Sequence, residues 1–119
     1  MERRYRLTGP EDFQRVRRTG TSYSHPLFVA VVCTNDLPAS RIGVSASRNL
    51  GGAVQRNRAK RRLRAAFRPF IAEMPGGWDL LLIARPPLLE AAWPDVQAAV
   101  RNVLKRSGLQ PSGASGRGN

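Results

Sequence analysis

The sequence predicts an α+β fold: one domain in which three helices pack on a mostly antiparallel sheet of about four strands. Three observations carry that expectation. Apolar residues recur at helical spacing in two segments, Ala59, Leu63, Ala66, Phe67 and Phe70 in one and Trp93, Val96, Val100, Val103 and Leu104 in the other. Three further segments, Leu27 to Cys33, Ile42 to Ser47 and Leu80 to Ile83, are β-branched, alternating or continuously apolar over strand length. Finally, 119 residues suffice for one hydrophobic core but not for two.

Taken in order, Thr8 followed three residues later by Glu11 reads as a capping box, with Pro10 suited to a first helical turn and Gly20 to a stop. A short helix is expected from Pro10 to Thr19, half-buried through Phe13 and Val16. Leu27 to Cys33 and Ile42 to Ser47 flank Thr34-Asn35-Asp36-Leu37-Pro38-Ala39-Ser40, which is turn chemistry, so the two runs are expected to pair antiparallel. Asn49-Leu50-Gly51-Gly52 ends the second strand and launches a basic helix that can run to Pro75-Gly76-Gly77. The two glycines read equally as a tight turn or as a backbone that admits phosphate to the helix amides. Leu80 to Ile83 does not alternate, which fits a central strand covered on both faces. Pro94 and Gly108 bracket a last helix that packs on the sheet. The domain is expected to span residues 1–109; residues 110–119 contain no apolar side chain larger than alanine and read as a disordered tail.

Charge narrows the function. Twenty Lys and Arg against eight acids leave a formal net charge of +12, which calls for a polyanionic partner. From Arg56 to Arg68, seven of thirteen residues are cationic, and no Asp or Glu lies between Leu37 and Ala72. On a helix, Asn57, Arg61, Arg64 and Arg68 share the side opposite the apolar stripe. Guanidinium forks there repel one another until an anion arrives, and they match phosphate oxygens. A membrane is disfavoured: no apolar run approaches the roughly 20 residues a spanning helix needs, and Met1 to Arg6 lacks a signal-peptide core, so a cytoplasmic protein is expected. Cys33, the sole cysteine, reads as a small buried apolar residue, and His25 beside Pro26 as a loop histidine. Neither a metal-ligand spacing nor a hydrolase elbow is visible, so no catalytic residue is assigned.

The segments Arg41-Ile42-Gly43-Val44-Ser45-Ala46-Ser47-Arg48 and Gly51-Gly52-Ala53-Val54-Gln55-Arg56-Asn57-Arg58-Ala59-Lys60-Arg61-Arg62-Leu63-Arg64 resemble the signature of the bacterial ribonuclease P protein family. Glu11-Asp12-Phe13, Phe28-Val29 and Leu82-Ile83-Ala84-Arg85 extend the likeness, which spans about Arg4 to Leu104. The resemblance implies an α-β sandwich in the order α-β-β-β-α-β-α with a left-handed βαβ crossover around the basic helix. It also implies a subunit of an endoribonuclease that removes the 5′ leader from precursor transfer RNA. A catalytic RNA with its Mg2+ ions performs the hydrolysis, the protein holds no cofactor, and one protein serves one RNA. Carried over by position, Arg56, Asn57, Arg58, Lys60, Arg61 and Arg64 match the signature and face RNA, with Arg48 keeping a charge beside Asn49 and Arg68 continuing the stripe, while Phe13, Arg17 and Val31 fall at leader-cleft positions. The last two depart from the aromatics common in the family, which shifts the grip on the leader from stacking toward charge.

Other readings of the residues stay open beside this one. Phe13 serves equally as a core anchor, Arg56 as a structural partner of Asp79 or Glu73, and Asn57 as a plain surface amide. A structural, ribosomal-type RNA-binding protein shares the size and charge but has no need of the signature.

Overall fold

The computed structural model describes residues 5–71 and 73–109. In chain order they form α1 (Pro10–Thr19), β1 (Thr21–Ser24), β2 (Phe28–Thr34), β3 (Arg41–Ala46), α2 (Ala53–Ile71), β4 (Trp78–Ala84) and α3 (Trp93–Ser107). Single 3-10 turns occupy Arg48–Leu50 and Pro86–Leu89. The expected element order therefore holds. One expected pairing does not: the strands run β1-β2-β4-β3, with β2 antiparallel to β1 and β4, and β3 parallel to β4. The runs read as a hairpin, β2 and β3, are separated by β4. Leu80, Leu81 and Leu82 are all fully buried. A strand apolar on both faces is stable only with neighbours and cover on every side, so it takes the centre and displaces the local pairing. The six residues between β2 and β3 easily span the two inter-strand spacings, about 10 Å, that this requires. β1 was invisible to periodicity because Thr-Ser-Tyr-Ser is polar and lies largely exposed at the sheet edge.

Alternation along the strands splits the core into two. Phe28, Ala30, Val32, Ile42, Val44, Leu80, Leu82 and Ala84 face α2 and α3, which contribute Ala59, Leu63, Ala66, Phe67, Val96, Val100, Val103 and Leu104. The Phe28 and Phe67 rings meet edge to face at 5.8 Å. Leu109 closes this core, and the expected tail, residues 110–119, lies outside the described residues. Each large side chain buried here stabilises by about 1.5–3 kcal/mol, so α2 and α3 are firmly held. Arg62 adds a polar clasp, donating to the carbonyls of Leu88 at 2.8 Å, Leu89 at 3.1 Å and Ala91 at 2.6 Å, with its guanidinium 5.8 Å from the Trp93 ring centroid. This member of the basic run is therefore structural.

The second core is small: Leu7, Val16, Val31 and Leu81. Only Val16 of α1 is fully buried. The helix has the expected bounds but a different start, because Gly9 with φ 95° is its N-cap and no side chain caps it. The Thr8–Glu11 capping box does not form; the left-handed φ turns the chain at Gly9, and Pro10 supplies a first turn without an amide to cap. Two other glycines set how closely α1 lies. A Cβ on Gly20 would fall 2.8 Å from Val31 Cγ1, and one on Gly43 2.8 Å from Phe13 Cε1 and 2.9 Å from the Leu7 carbonyl oxygen.

Asp79, buried in β4, compensates for this thin apolar contact. Its carboxylate accepts from Arg41 Nε at 2.9 Å and Nη2 at 2.8 Å, from Asn35 Nδ2 at 2.8 Å and from Arg15 Nη2 of α1. Arg15 also reaches Cys33 Sγ at 3.4 Å, and Cys33 is half-buried at the margin of α1 rather than enclosed. Burial pushes the Asp79 carboxyl up, but the hydrogen bonds from Arg41, Asn35 and Arg15 outweigh it and hold it below its ordinary value. A folded-state pKa below the unfolded one means that the stabilisation is complete above the unfolded value, near 3.9, and is lost as pH falls below it toward the folded value. Replacing Asp79 by Asn should therefore flatten the acid limb of a stability-versus-pH curve, and an unaltered limb would place the acid sensitivity elsewhere. Gly43→Ala should destabilise by about 1–3 kcal/mol in denaturant titration, because the methyl meets a ring and a backbone oxygen that cannot both retreat. A neutral result would show that Phe13 moves freely.

Candidate nucleic-acid interface

The basic segment folds as α2 because Gly51 (φ 121°) turns the chain out of the Arg48–Leu50 turn and nothing interrupts helical spacing before Pro69. Gln55 Oε1 accepts the Gly52 amide at 3.1 Å, so that amide is satisfied within the protein and the glycines act as the tight turn. Ala59, Leu63, Ala66, Phe67 and Ile71 point inward, with Phe70 half-buried beside them. Asn57, Arg61 and Arg68 are exposed on the opposite side, together with Arg58 and Arg48, while Arg56, Lys60 and Arg64 are half-buried. Partial burial lowers the Arg64 pKa first, and the charge of Arg6 lowers it further. Arg6 forms a parallel bridge with Ile42 at the β3 edge, so the cationic stripe of α2 continues onto the sheet margin. Sequence periodicity had no means of joining residues 6 and 64.

Among the described residues every ion pair involves Arg15 or Arg41. The structural reading of Arg56 fails accordingly. Asp79 is committed to Arg15, Arg41 and Asn35, and Glu73 is exposed outside those pairs. The stripe thus presents positive charge without internal neutralisation, in a form suited to phosphates.

The other sheet face supplies a cleft. α1 crosses the row Val31, Leu81 and Gly43, leaving the next row, Val29, Ile83 and Ser45, half-buried. Val31 is 4% exposed and lies beneath Val16 and Gly20. Its expected place in the lining is corrected: Val31 supports α1 from below, and Val29 and Ile83 form the accessible floor. Phe13 is half-buried with its ring against Gly43, as a wall that is also an anchor. Arg17 is exposed. It lies about 200° around the helix from Arg15, which is tied to Asp79, and so projects toward the open row. At the end of that row Pro26, Val29, Ser47, Asn49, Ile83 and Arg85 line a hollow of about 400 Å³. A second hollow, between Tyr5, Leu37, Ser40 and Met74, has no charged side chain among the described residues of its lining. Arg85 and the floor residues were missed as site residues because the apolar run of β4 does not reveal which end α1 leaves uncovered.

No cluster of three or more His, Cys, Asp or Glu suited to a metal occurs among the described residues. His25 accepts the Leu27 amide at 3.1 Å and stacks on Phe28 at 5.7 Å, the loop role expected of it.

Comparison with known proteins agrees with this geometry. The family model for ribonuclease P matches residues 1–108. The ribonuclease P protein component of Roseiflexus sp. (strain RS-1) is 42% identical over 117 residues, covering 98% of this chain and 96% of that protein. That of Herpetosiphon aurantiacus is 40% identical over 109 residues, covering 92% and 89%. Among solved structures, the Staphylococcus aureus RNase P protein superposes with a TM-score of 0.79 at 33% identity, covering 89% of this chain and 97% of that one. The Thermotoga maritima protein gives 0.75 at 32%, covering 85% and 96%. A basic helix without internal neutralisation, an open cleft beneath α1 and these matches along nearly the whole chain lead to one conclusion: the chain belongs to the ribonuclease P protein family.

Proposed function

We propose that the two surfaces divide the substrate complex between them, α2 meeting the catalytic RNA and the cleft beneath α1 taking the 5′ leader of precursor transfer RNA. The chain is the protein subunit of a bacterial ribonuclease P, an endoribonuclease of transfer RNA maturation. The observation that carries the finer assignment is the uncovered row Val29, Ile83 and Ser45 with Arg85 at its end; helical spacing puts the exposed Arg17 on the flank of α1 turned to that row. Its apolar floor accepts unstacked bases, and guanidinium groups at its margin accept phosphates, which is the chemistry of a single strand rather than a duplex. Arg17 stands where the family commonly has an aromatic, so the grip is more electrostatic and more salt-sensitive than stacking alone would make it.

Arg48 of the preceding turn and, on α2, Arg56, Asn57, Arg58, Lys60, Arg61, Arg64 and Arg68 bind the RNA subunit, with Arg6 extending their stripe. Hydrolysis belongs to that RNA and its Mg2+ ions; the protein contributes cations that reduce repulsion between crowded phosphates, so less Mg2+ is needed. No helix among the described residues is long and apolar enough to cross a membrane. A cytoplasmic complex of one protein and one RNA fits this reading.

Replacing Arg61 and Arg64 by Gln should leave the fold intact and weaken binding to the cognate RNA. The slope of log K against log salt should become shallower by roughly 0.7–0.9 for each phosphate that the protein no longer neutralises. Thermal melts beside the salt titration separate this from unfolding, and an unchanged slope would remove the stripe from the interface. Without RNA, the purified protein should leave precursor transfer RNA uncut at its 5′ processing site; correct cleavage by RNA-free protein would overturn the division of labour.

A further inference from the structure

α1 forms one wall of the cleft, yet it is the least anchored of the three helices. Val16 is its one fully buried residue, whereas α2 and α3 each bury five. What fixes its azimuth is polar. Arg15 Nη2 donates to Asp79 Oδ2, and Arg15 Nη1 lies 3.4 Å from Cys33 Sγ and 3.5 Å from the Thr34 carbonyl oxygen. Asp79 is itself fully buried and held by both Arg41 and Asn35. Arg15 also has Asp12 at 3.6 Å within the same helix. The tie sits on the flank of α1 facing the row Cys33, Asp79 and Arg41; helical spacing puts Arg17 on the opposite flank, the side of Val29 and Ile83. Rotation of α1 about its axis would break the first and sweep the second across the cleft.

We propose that Arg15, through the buried Asp79 carboxylate, is a positioning residue for the leader: it locks the rotation of α1 and thereby holds Arg17 toward the open row and Phe13 in place as its wall. This rests on the reading of the cleft as the leader site. Arg15 touches no leader in this arrangement, since it lies on the far side of the helix and its guanidinium is taken by Asp79. Its effect is transmitted only by the helix it fixes. Nor does it concern α2, whose anchorage is the separate core of Leu63, Phe67 and Leu82.

The test is Arg15→Met in the reconstituted holoenzyme. Met keeps the apolar stem, and Asp79 keeps Arg41 and Asn35, so the carboxylate is not orphaned. With precursor transfer RNA carrying a leader of several nucleotides, KM should rise about tenfold while kcat stays unchanged. With a one-nucleotide leader both should match the wild type, as should affinity for the RNA subunit. Because Arg15 neutralises no phosphate itself and acts only by placing Arg17, the salt slope of long-leader binding should become no shallower in Arg15→Met than in Arg17→Gln, and adding Arg15→Met to Arg17→Gln should leave the slope unchanged. Arg15→Lys, which retains a donor for Asp79, should recover most of the loss. Amide hydrogen exchange should quicken in α1 and not in α2.

Arg17→Gln separates this inference from the reading beneath it. If Arg17→Gln weakens long-leader substrates and Arg15→Met does not, the positioning role is overturned and the cleft assignment stands. If neither variant distinguishes leader lengths, both are overturned. A slope in the Arg15→Met, Arg17→Gln double variant shallower than in Arg17→Gln alone would make Arg15 a direct phosphate ligand. Equal losses on long leader, short leader and RNA subunit would make it a general stability residue. Either result overturns the proposal.

Discussion

β4 must be covered on both faces, and the rest of the molecule is arranged around that requirement. Leu80 and Leu82 need the α2 and α3 layer, Leu81 needs α1, and both edges need a paired strand. The same strand carries Asp79 into the interior. A buried carboxylate is tolerable only when its charge is met by several donors, so Arg15, Arg41 and Asn35 are drawn from α1, β3 and the loop after β2 to one point. One apolar strand with one acid in it thus sets both the order of the sheet and the placement of the helix across its second face.

The two faces of the sheet are unequal, and the inequality is useful. One is sealed by two long helices with a core that extends from Phe28 to Leu109. The other is crossed by a ten-residue helix that covers one row of side chains and leaves the next partly open. A fully sealed second face would be more stable and would have no cleft. Keeping Val29 and Ile83 accessible exposes apolar surface that bases can cover, while the charged margin limits association with other apolar surfaces.

Positive charge is likewise sorted by role rather than spread evenly. Arg15, Arg41 and Arg62 are turned inward to a carboxylate or to backbone carbonyls, where their forks saturate acceptors that would otherwise be unmet. Arg61, Arg68 and Arg58 stand exposed. Like charges held this close destabilise the free protein; on the proposed reading an RNA partner removes that cost, and folding stability and binding then place opposite requirements on one set of residues.

The helices at Pro10–Thr19 and Trp93–Ser107, the existence of α2 though not its end at Ile71 short of the expected stop at Pro75, the burial of Leu80 to Leu82 and the division of α2 into an apolar and a cationic side were legible in the sequence. Each depends on neighbours three or four residues apart, or on the local preferences of proline and glycine. The signature around Arg56, Asn57 and Arg58 was legible for the same reason, being contiguous. What tertiary structure alone decided is everything that rests on contacts between distant segments. It put β4 between β2 and β3 in place of a hairpin, because covering Leu81 and Leu82 outweighs a short connection. It drove Val31 under α1 and opened Val29 and Ile83 instead, since the crossing point of a helix on a sheet is fixed by close approaches such as Gly20 and Gly43 and not by strand periodicity. It also sent Arg15 and Arg62 inward while their neighbours stayed outside. In a run of cations the chain specifies charge; only the position of a buried carboxylate or an unmet carbonyl specifies which of them will be used to hold the protein together.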